Sequence, residues 1–582
     1  MRARPCLQAV TDRAADERRR SPVDLPLRYP VQGAKVDTPD KFSIRSFRSI
    51  DPRTSVSSSI ERKGGSMGRA VGIDLGTTNS AVAVLRVTGS PEVLPNDQGS
   101  TTTPSVVLFQ SFGGEDEPLV GELAKRQAAA YPDDIVQYVK RFMGDPNWRF
   151  DSATAQYRSE EVSAIILKRL KEDAERELGE AVTDAVITVP AYFDDARRTA
   201  TRQAGKIAGF NVLRVLNEPT AAALSYGLDT QQEGTVLVYD LGGGTFDVTV
   251  LTIAGADFEV LATDGDRNLG GFDWDNALMN LVADDLARQG VKGILDDLAA
   301  VADLREKAEF AKKALTNLSN TKIQLSFNGG HHRVEVSRAQ FEAATASLLR
   351  RTEELVEDVL AEAGLAWNQI DHVLLVGGST RMPAVRELVQ KLSGKPVALD
   401  VNPDEAVALG AAVQAALEAQ ASGGAVDSDS ASLAPTLFGG ERVSIADVTS
   451  QALGVIMLDD DHNEVNSVVI PRNTKIPGKG SKGGETVTDN QTELRIRVTQ
   501  GDDADPDFVT IVGEATLRIP PYPAGAPIEI SYQYDIDQTI AIEVTDLTAN
   551  ASLGTFEVDR LANLDDDAVD AAAAKIAAIS IN

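Results

Sequence analysis

Two stretches of this chain carry the same pattern of apolar and polar positions. VGIDLGTTNSAVAV (71–84) and VYDLGGGTFDVTVL (238–251) each run strand-like apolar residues into Asp-Leu-Gly, turn through Gly and Thr, and resume as an alternating strand. The tripeptide starts at Asp74 and again at Asp240, 166 positions later. Around these stretches, from about residue 70 to 420, strand-like and helix-like segments alternate, which predicts an α/β domain. SEEVSAIILKRLKEDAERELG, DDARRTATRQAGKIAG and LREKAEFAKKALTNL are predicted helices, with apolar residues at helical spacing and Gly or Asn near their ends. Residues 421–440 are rich in Gly, Ser and Ala and read as a linker. Beyond them NSVVIPRNTKIPGKG, ETVTDNQTELRIRVTQGDD, TIVGEATLRIPPYP and PIEISYQYDIDQTIAIEVTD alternate apolar with polar residues between turn formers, predicting a small antiparallel β-domain. LDDDAVDAAAAKIAAI closes the chain as an acid-capped, Ala-rich helix of about 4 turns. The predicted organisation is therefore an α/β domain over 67–420, a linker over 421–446, a β-sandwich over 447–556 and a C-terminal helix over 557–582.

Composition narrows the function classes. A chain of 582 residues exceeds one hydrophobic core, so two or three domains are expected. A net charge of −30 argues against a nucleic-acid-binding surface, and no apolar run approaches the ~18 residues of a membrane span. The single Cys6 forms neither an internal disulfide nor a metal cluster, which suits a reducing, cytoplasmic setting. The four histidines lack metal-ligand spacing, and His331-His332 after Asn-Gly-Gly read as a hairpin tip. Residues 1–66 differ in kind, with 14 Lys/Arg against 8 Asp/Glu. They lack the apolar core of a secretory signal and are too acidic for a transit peptide. They are expected to be a disordered basic arm or sequence not translated in the cell; KGGSM, ending at Met67, can be encoded as a ribosome-binding site and favours the second.

The repeated turn carries the chemistry. Two tight hairpins would satisfy a bare glycine pattern, but three details favour phosphate binding. Asp74 and Asp240 each end an apolar strand; Gly76 and Gly242, Gly243 and Gly244 allow close approach of backbone to a ligand; and Thr77, Thr78 and Thr245 place hydroxyls beside exposed N–H groups. Each turn leads into a strand rather than a helix, and no Gly-Lys-[Ser/Thr] occurs, so this is not a P-loop. Two such hairpins imply two related halves sharing a cleft, and two facing carboxylates call for a cation. Mg²⁺, held largely through water, is the natural one, so the turns predict a Mg-nucleotide clamp.

IDLGTTNS, VITVPAYFDDARR, VLRVLNEPTAAALSYGLD, DLGGGTFDVTVL, VLLVGGSTRMP and NPDEAVALGAAVQAAL resemble, in order, the signature blocks of the seventy-kilodalton heat-shock chaperones, the DnaK-type family. IPRNTKIP and DNQTELRIRVTQG resemble that family's substrate-binding domain. The resemblance implies an actin-like ATPase domain, a linker and a β-sandwich that grips apolar peptide segments, with ATP/ADP and Mg²⁺ as ligands and K⁺ as a further cation. It places Asp74 and Asp240 near the Mg²⁺ shell, with Glu218 and Asp247 completing an acidic ring around metal and attacking water. YVKRFMG matches the block of the catalytic lysine, giving Lys140, with Thr245 beside it in the catalytic set. Gly76, Thr77, Thr78 and Asn79 fall in the first phosphate turn and Gly242, Gly243, Gly244 and Thr245 in the second. Gly377, Gly378, Arg381 and Asp404 match the adenosine side, as does a helix face of Glu309, Lys312, Lys313 and Thr316, whose rival reading is ordinary i,i+4 pairing. Lys313 stands where the family usually has arginine, which removes guanidinium stacking. Pro190 and Arg198 match an interdomain switch, and Leu458, Val487 and Leu494 a peptide groove.

The departures lie downstream. RVSIADV replaces a leucine-rich linker and offers only Val443 and Ile445 as apolar residues, so backbone pairing is expected to survive with less buried area. The loop MLDDDHNEVNSVV is far more acidic than the family's apolar arch, and one helix stands where a helical lid is expected. The reading is an ATP-dependent, lidless chaperone acting on unfolded or apolar segments, assisted by a J-domain co-chaperone and a nucleotide exchange factor, with neither nucleic acid nor membrane as partner. The competing readings are an ATPase switch serving one dedicated protein partner and, less well matched, a sugar kinase.

Overall fold

The computed structural model describes residues 69–112, 114–230, 232–397, 402–421, 443–459, 461–535, 540–557 and 562–581. The extension expected over 1–66 and most of the linker expected over 421–446 lie outside them.

The repeated turn belongs to a repeated sheet. In the first half, Arg69–Asp74 runs antiparallel to Asn79–Leu85 and parallel to Val182–Val189. In the second, Gly234–Leu241 runs antiparallel to Phe246–Ala254 and parallel to His372–Val376. In each, the hairpin's first strand lies between its partner and the parallel strand, and a further antiparallel neighbour (Pro91–Val93 or Asp257–Asp266) continues the sheet. The parallel pairs require helical crossovers, and the helices predicted from periodicity supply them. Ser159–Leu178 ends at Gly179 in the left-handed conformation, and Asp195–Ile207 is capped by the Asp194 carboxylate accepting from the Arg197 N–H. Leu298–Asn317 begins six residues before the periodic stretch, which starts at Leu304, because Asp297 caps it there. The hairpin tip is Asn328-Gly329 and not the expected His331-His332: both tip residues have positive φ, a two-residue turn matched to strand twist, and the two histidines lie in the strand after it.

Each half has its own core, and a third lies between them. Glu218–Thr230 and Ala406–Ala421 pack against one another and against residues of both sheets, including Val186, Val236 and Val376. This shared layer is the floor of the cleft. Residues 451–557 form two four-stranded antiparallel sheets around a core of Val455, Ile496, Tyr532, Ile542 and their neighbours, the predicted sandwich.

Two elements of the C-terminal part of the chain dock on the α/β part. Ser444–Val448 pairs in parallel with Asp257–Asp266, Phe258 opposite Ile445, and antiparallel with Lys475–Ile476. The last residues expected as linker are thus a strand shared by both parts, with Val443 and Ile445 packed on the central core. Main-chain pairing is indifferent to side-chain size, which explains why the poorly apolar RVSIADV still docks. The C-terminal helix Asp566–Ala578, capped by Asp565, lies on the first half and not over the sandwich. Val569, Ala572 and Ile576 join that half's core, and Lys168 donates to the carbonyls of Ile576 at 3.0 Å and Ile579 at 2.6 Å. Among the described residues, no helix is long and apolar enough to cross a membrane.

Candidate functional site

The two Gly-Thr turns meet across the cleft. A Cβ added to Gly243 would lie 2.2 Å from the Thr78 hydroxyl, and one on Gly244 would lie 2.4 Å from the Thr77 side chain. Glycine is required here because any side chain would push the two halves apart. The turns are fixed by short contacts: the Gly271 N–H donates to the Gly242 carbonyl at 3.0 Å, Phe272 N–H to Gly243 at 2.8 Å, and the Ser379 hydroxyl to Gly242 at 2.9 Å. On the first turn the Ser105 hydroxyl donates to the Gly76 carbonyl at 2.8 Å. Thr77 and Thr245 are buried there, Thr78 is half-buried, and Asn79 is exposed.

Beneath the turns the carboxylates converge. Asp74 ends its strand and accepts from the Thr188 hydroxyl at 3.4 Å; Asp240 and Asp247 face each other in register on the second hairpin; Glu218 opens its helix. Lys140, only 4% exposed, donates to Glu218 at 2.5 Å. One ammonium thus serves four carboxylates. Burial, reinforced by Glu218, pushes Asp74 and Asp247 up to about 7, and burial with Glu218 and Asp247 raises Asp240 well above the ordinary carboxylate range. Asp247 accepts the Tyr192 N–H at 2.9 Å through Oδ1, while its buried Oδ2 has no partner. A surplus of buried negative charge with an orphaned oxygen fits a cation. Among the described residues no three metal-ligating side chains group tightly enough for direct coordination.

The residues expected on the adenosine side divide. Gly377, Gly378, Arg381 and Asp404 come together beside Asp240, with Arg381 paired to Asp404 at 2.5 Å and the Gly377 N–H donating to the Pro403 carbonyl. On the helix, Glu309 and Lys313 do form the i,i+4 pair, at 2.7 Å, while Lys312 turns inward to Asp275 at 2.8 Å and the Gly271 carbonyl at 2.9 Å. Thr316 donates to the Lys312 carbonyl at 3.5 Å. Burial alone would raise Glu309, but Lys125 and Lys313 bring it down to about 2. Lys125 reaches Glu309 at 2.7 Å from the opposite half. This bridge escaped the sequence reading because nothing in a lone Glu-Leu-Ala-Lys marks a partner 184 residues away.

The expected switch residues are also connected. Pro190 ends the Val182–Val189 strand, and the loop after it carries Tyr192, which donates to Asp247. Buried Arg198 holds this loop by donating to the carbonyls of Ala191 at 2.9 Å and Phe193 at 3.0 Å. Arg198 also opposes the burial that raises Asp447 in the docked strand. Asp447 in turn accepts from Asn217 at 2.6 Å, and Asn217 immediately precedes Glu218. Farther out, Arg472 of the sandwich pairs with Glu362 and, at 3.4 Å, with Asp264.

The residues expected in a peptide groove do not share one environment. Leu458 and Val487 are 43% and 50% exposed, whereas Leu494 is 8% exposed and packs in the sandwich core. The edge strand Gly478–Glu485, GKGSKGGE, has no apolar side chain, and a Cβ on Gly484 would lie 2.6 Å from the methyl of Met457.

A family described as Hsp70 protein matches this chain over residues 70–154 and 146–578, from the first strand of the cleft to the C-terminal helix. The matched length takes in the twin hairpins, the docked strand and the sandwich together, and on that ground the chain belongs to the Hsp70 family of ATP-dependent chaperones.

Proposed function

We propose that ATP hydrolysis in the cleft controls how the sandwich binds and releases exposed apolar peptide segments, in a reducing, cytoplasmic compartment. The observation that carries this reading is the pair of phosphate turns in contact across a cleft whose buried carboxylates outnumber their one lysine. Backbone N–H groups of Gly76–Asn79 and Gly242–Thr245 would hold phosphate oxygens, and Lys140 would leave Glu218 for a γ-phosphoryl oxygen. Asp247, pinned through Oδ1 by Tyr192, keeps Oδ2 free to orient the attacking water, with Glu218 and the Thr245 hydroxyl beside it. Bound Mg²⁺, held through water by Asp74 and Asp240, would neutralise charge on the phosphoryl oxygens; K⁺ would suit the same acidic surroundings. Gly377, Gly378, Arg381, Asp404 and the Glu309–Thr316 face would receive adenosine, with Lys313 giving weaker stacking than arginine.

Coupling would run through the Pro190 loop and Arg198 to the docked strand, since Arg198 holds the loop and its charge acts on Asp447 of that strand. The test is single-turnover ATP hydrolysis with and without an apolar peptide. Stimulation by peptide is expected. Arg472→Ala, which loses Glu362 and Asp264 at a distance from the phosphate turns, is expected to keep basal turnover within about twofold and to lose most of the stimulation. Unaltered stimulation in that variant would remove the interface from the coupling. J-domain and exchange-factor partners belong to the same proposal.

A second reading, an ATPase switch with one dedicated partner, is favoured by the glycine-built strand Gly478–Glu485 and the acidic loop around Asp459. Peptide arrays separate the two: many apolar hits support the chaperone, none the switch.

A further inference from the structure

We propose that Tyr138, Arg141, Phe272 and Arg305 form a latch between the two halves that sets how fast nucleotide leaves the cleft; this rests on the nucleotide reading above. Tyr138 and Arg141 flank Lys140 in the first half, whereas Phe272 lies in the first turn of the Gly271–Arg288 helix and Arg305 on Leu298–Asn317, both in the second. The other three converge on the Phe272 ring. The Tyr138 ring meets it edge-on, centroids 4.6 Å apart, and the guanidinium carbons of Arg141 and Arg305 lie 4.6 Å and 4.4 Å from its centroid. Phe272 is 9% exposed, so these cation–π contacts act with little solvent screening.

The latch reaches the phosphate turn directly. Arg141 donates to the Gly244 carbonyl at 2.8 Å and pairs with Asp273 at 2.6 Å, which itself caps the Gly270 N–H. Separating the halves therefore strips Arg141 from the turn and from the ring in one movement. Tyr138 is held at φ 59, a left-handed conformation that costs a non-glycine residue free energy and persists only where surrounding contacts enforce it. Phe272 and Arg305 across the cleft pack on the Tyr138 ring, so opening removes contacts at the residue two before Lys140. The Lys125–Glu309 bridge, in which Glu309 is also held by Lys313, lies across the same cleft.

The test uses the full chain with Phe272→Leu, which keeps an apolar side chain and removes the ring's quadrupole, and Phe272→Tyr, which keeps the ring. Release of a fluorescent ADP is followed by stopped flow, and hydrolysis of prebound ATP in a single turnover. Phe272→Leu is expected to release ADP ~2- to 30-fold faster with hydrolysis within twofold of the parent, and Phe272→Tyr to restore slow release. In parallel, with Cys6 replaced by Ser, spin labels at exposed positions 131 and 298, one on each half, report the width of the cleft without nucleotide. A broader, longer distance distribution in Phe272→Leu supports the latch. Parental ADP release, or an unchanged distance distribution, overturns it. If the parent binds no ADP, the nucleotide reading fails by itself and the label distances alone decide the latch.

Discussion

Replacing Lys140 with alanine should lower ATP hydrolysis by at least about 10²–10³-fold while nucleotide still binds. The ammonium is buried, bonded to Glu218, and its field opposes the raised protonation of Asp74, Asp240 and Asp247 alike. Phosphoryl transfer needs positive charge where the transferring oxygens gain negative charge, and a solvent-filled gap left by alanine supplies none. Binding persists because the turns contribute backbone donors that do not depend on the lysine, and because Mg²⁺ arrives with the nucleotide. Glu218 is left without its partner, so the free variant should also melt below the parent. Single-turnover hydrolysis and calorimetric binding separate the two effects. Turnover near the parental rate would show that Lys140 is a structural partner of Glu218 and nothing more.

The twin hairpins were legible because their signal is local: strand, carboxylate, glycine turn and strand fit within fourteen residues, and the sheets repeat that unit with its parallel neighbour. The capped helices were legible for the same reason. What escaped depends on contacts distant in sequence. Lys125, Tyr138, Phe272 and Arg305 look like ordinary surface or core residues until the halves are brought together. Arg141 had one hint, its place next to Lys140. The C-terminal helix was predicted from its composition, but its seat on the first half is set by complementarity with Lys168 and the Ser159–Leu178 helix, which no periodicity records. Docking of RVSIADV was legible only in part, since main-chain pairing leaves no mark on side-chain pattern.

Asp240→Asn should make the nucleotide-free protein more stable and disable it. A carboxyl whose pKa is higher in the fold than in the unfolded chain holds protons that unfolding releases, so its native state loses stability as pH rises from about 4 through the folded value. Asp74 and Asp247, at about 7, with Asp240 also well above the ordinary carboxylate range, put that loss into the range around neutrality. Glu309, held at about 2, acts with the opposite sign but between about pH 2 and 4.5, outside that window. The nucleotide-free protein should therefore melt several degrees higher at pH 6 than at pH 8 in scanning calorimetry. Asn at 240 removes a buried charge and weakens the repulsion on Asp74 and Asp247, so the variant should gain most at pH 8 and show a flatter pH dependence. The same carboxylate would hold the cation that neutralises the phosphates, and Mg-ATP turnover should fall by about 10²-fold or more. Saturating Mg-ATP should stabilise the parent more at pH 8 than at pH 6, because the cation does there what protons do at the lower pH, and should stabilise Asp240→Asn little at either. A variant that melts below the parent at pH 8, or that keeps its turnover, would mean the ring is not strained by its own charge. A more stable but inactive variant would place the cost of the catalytic charge at the second of the two repeated Asp-Leu-Gly turns.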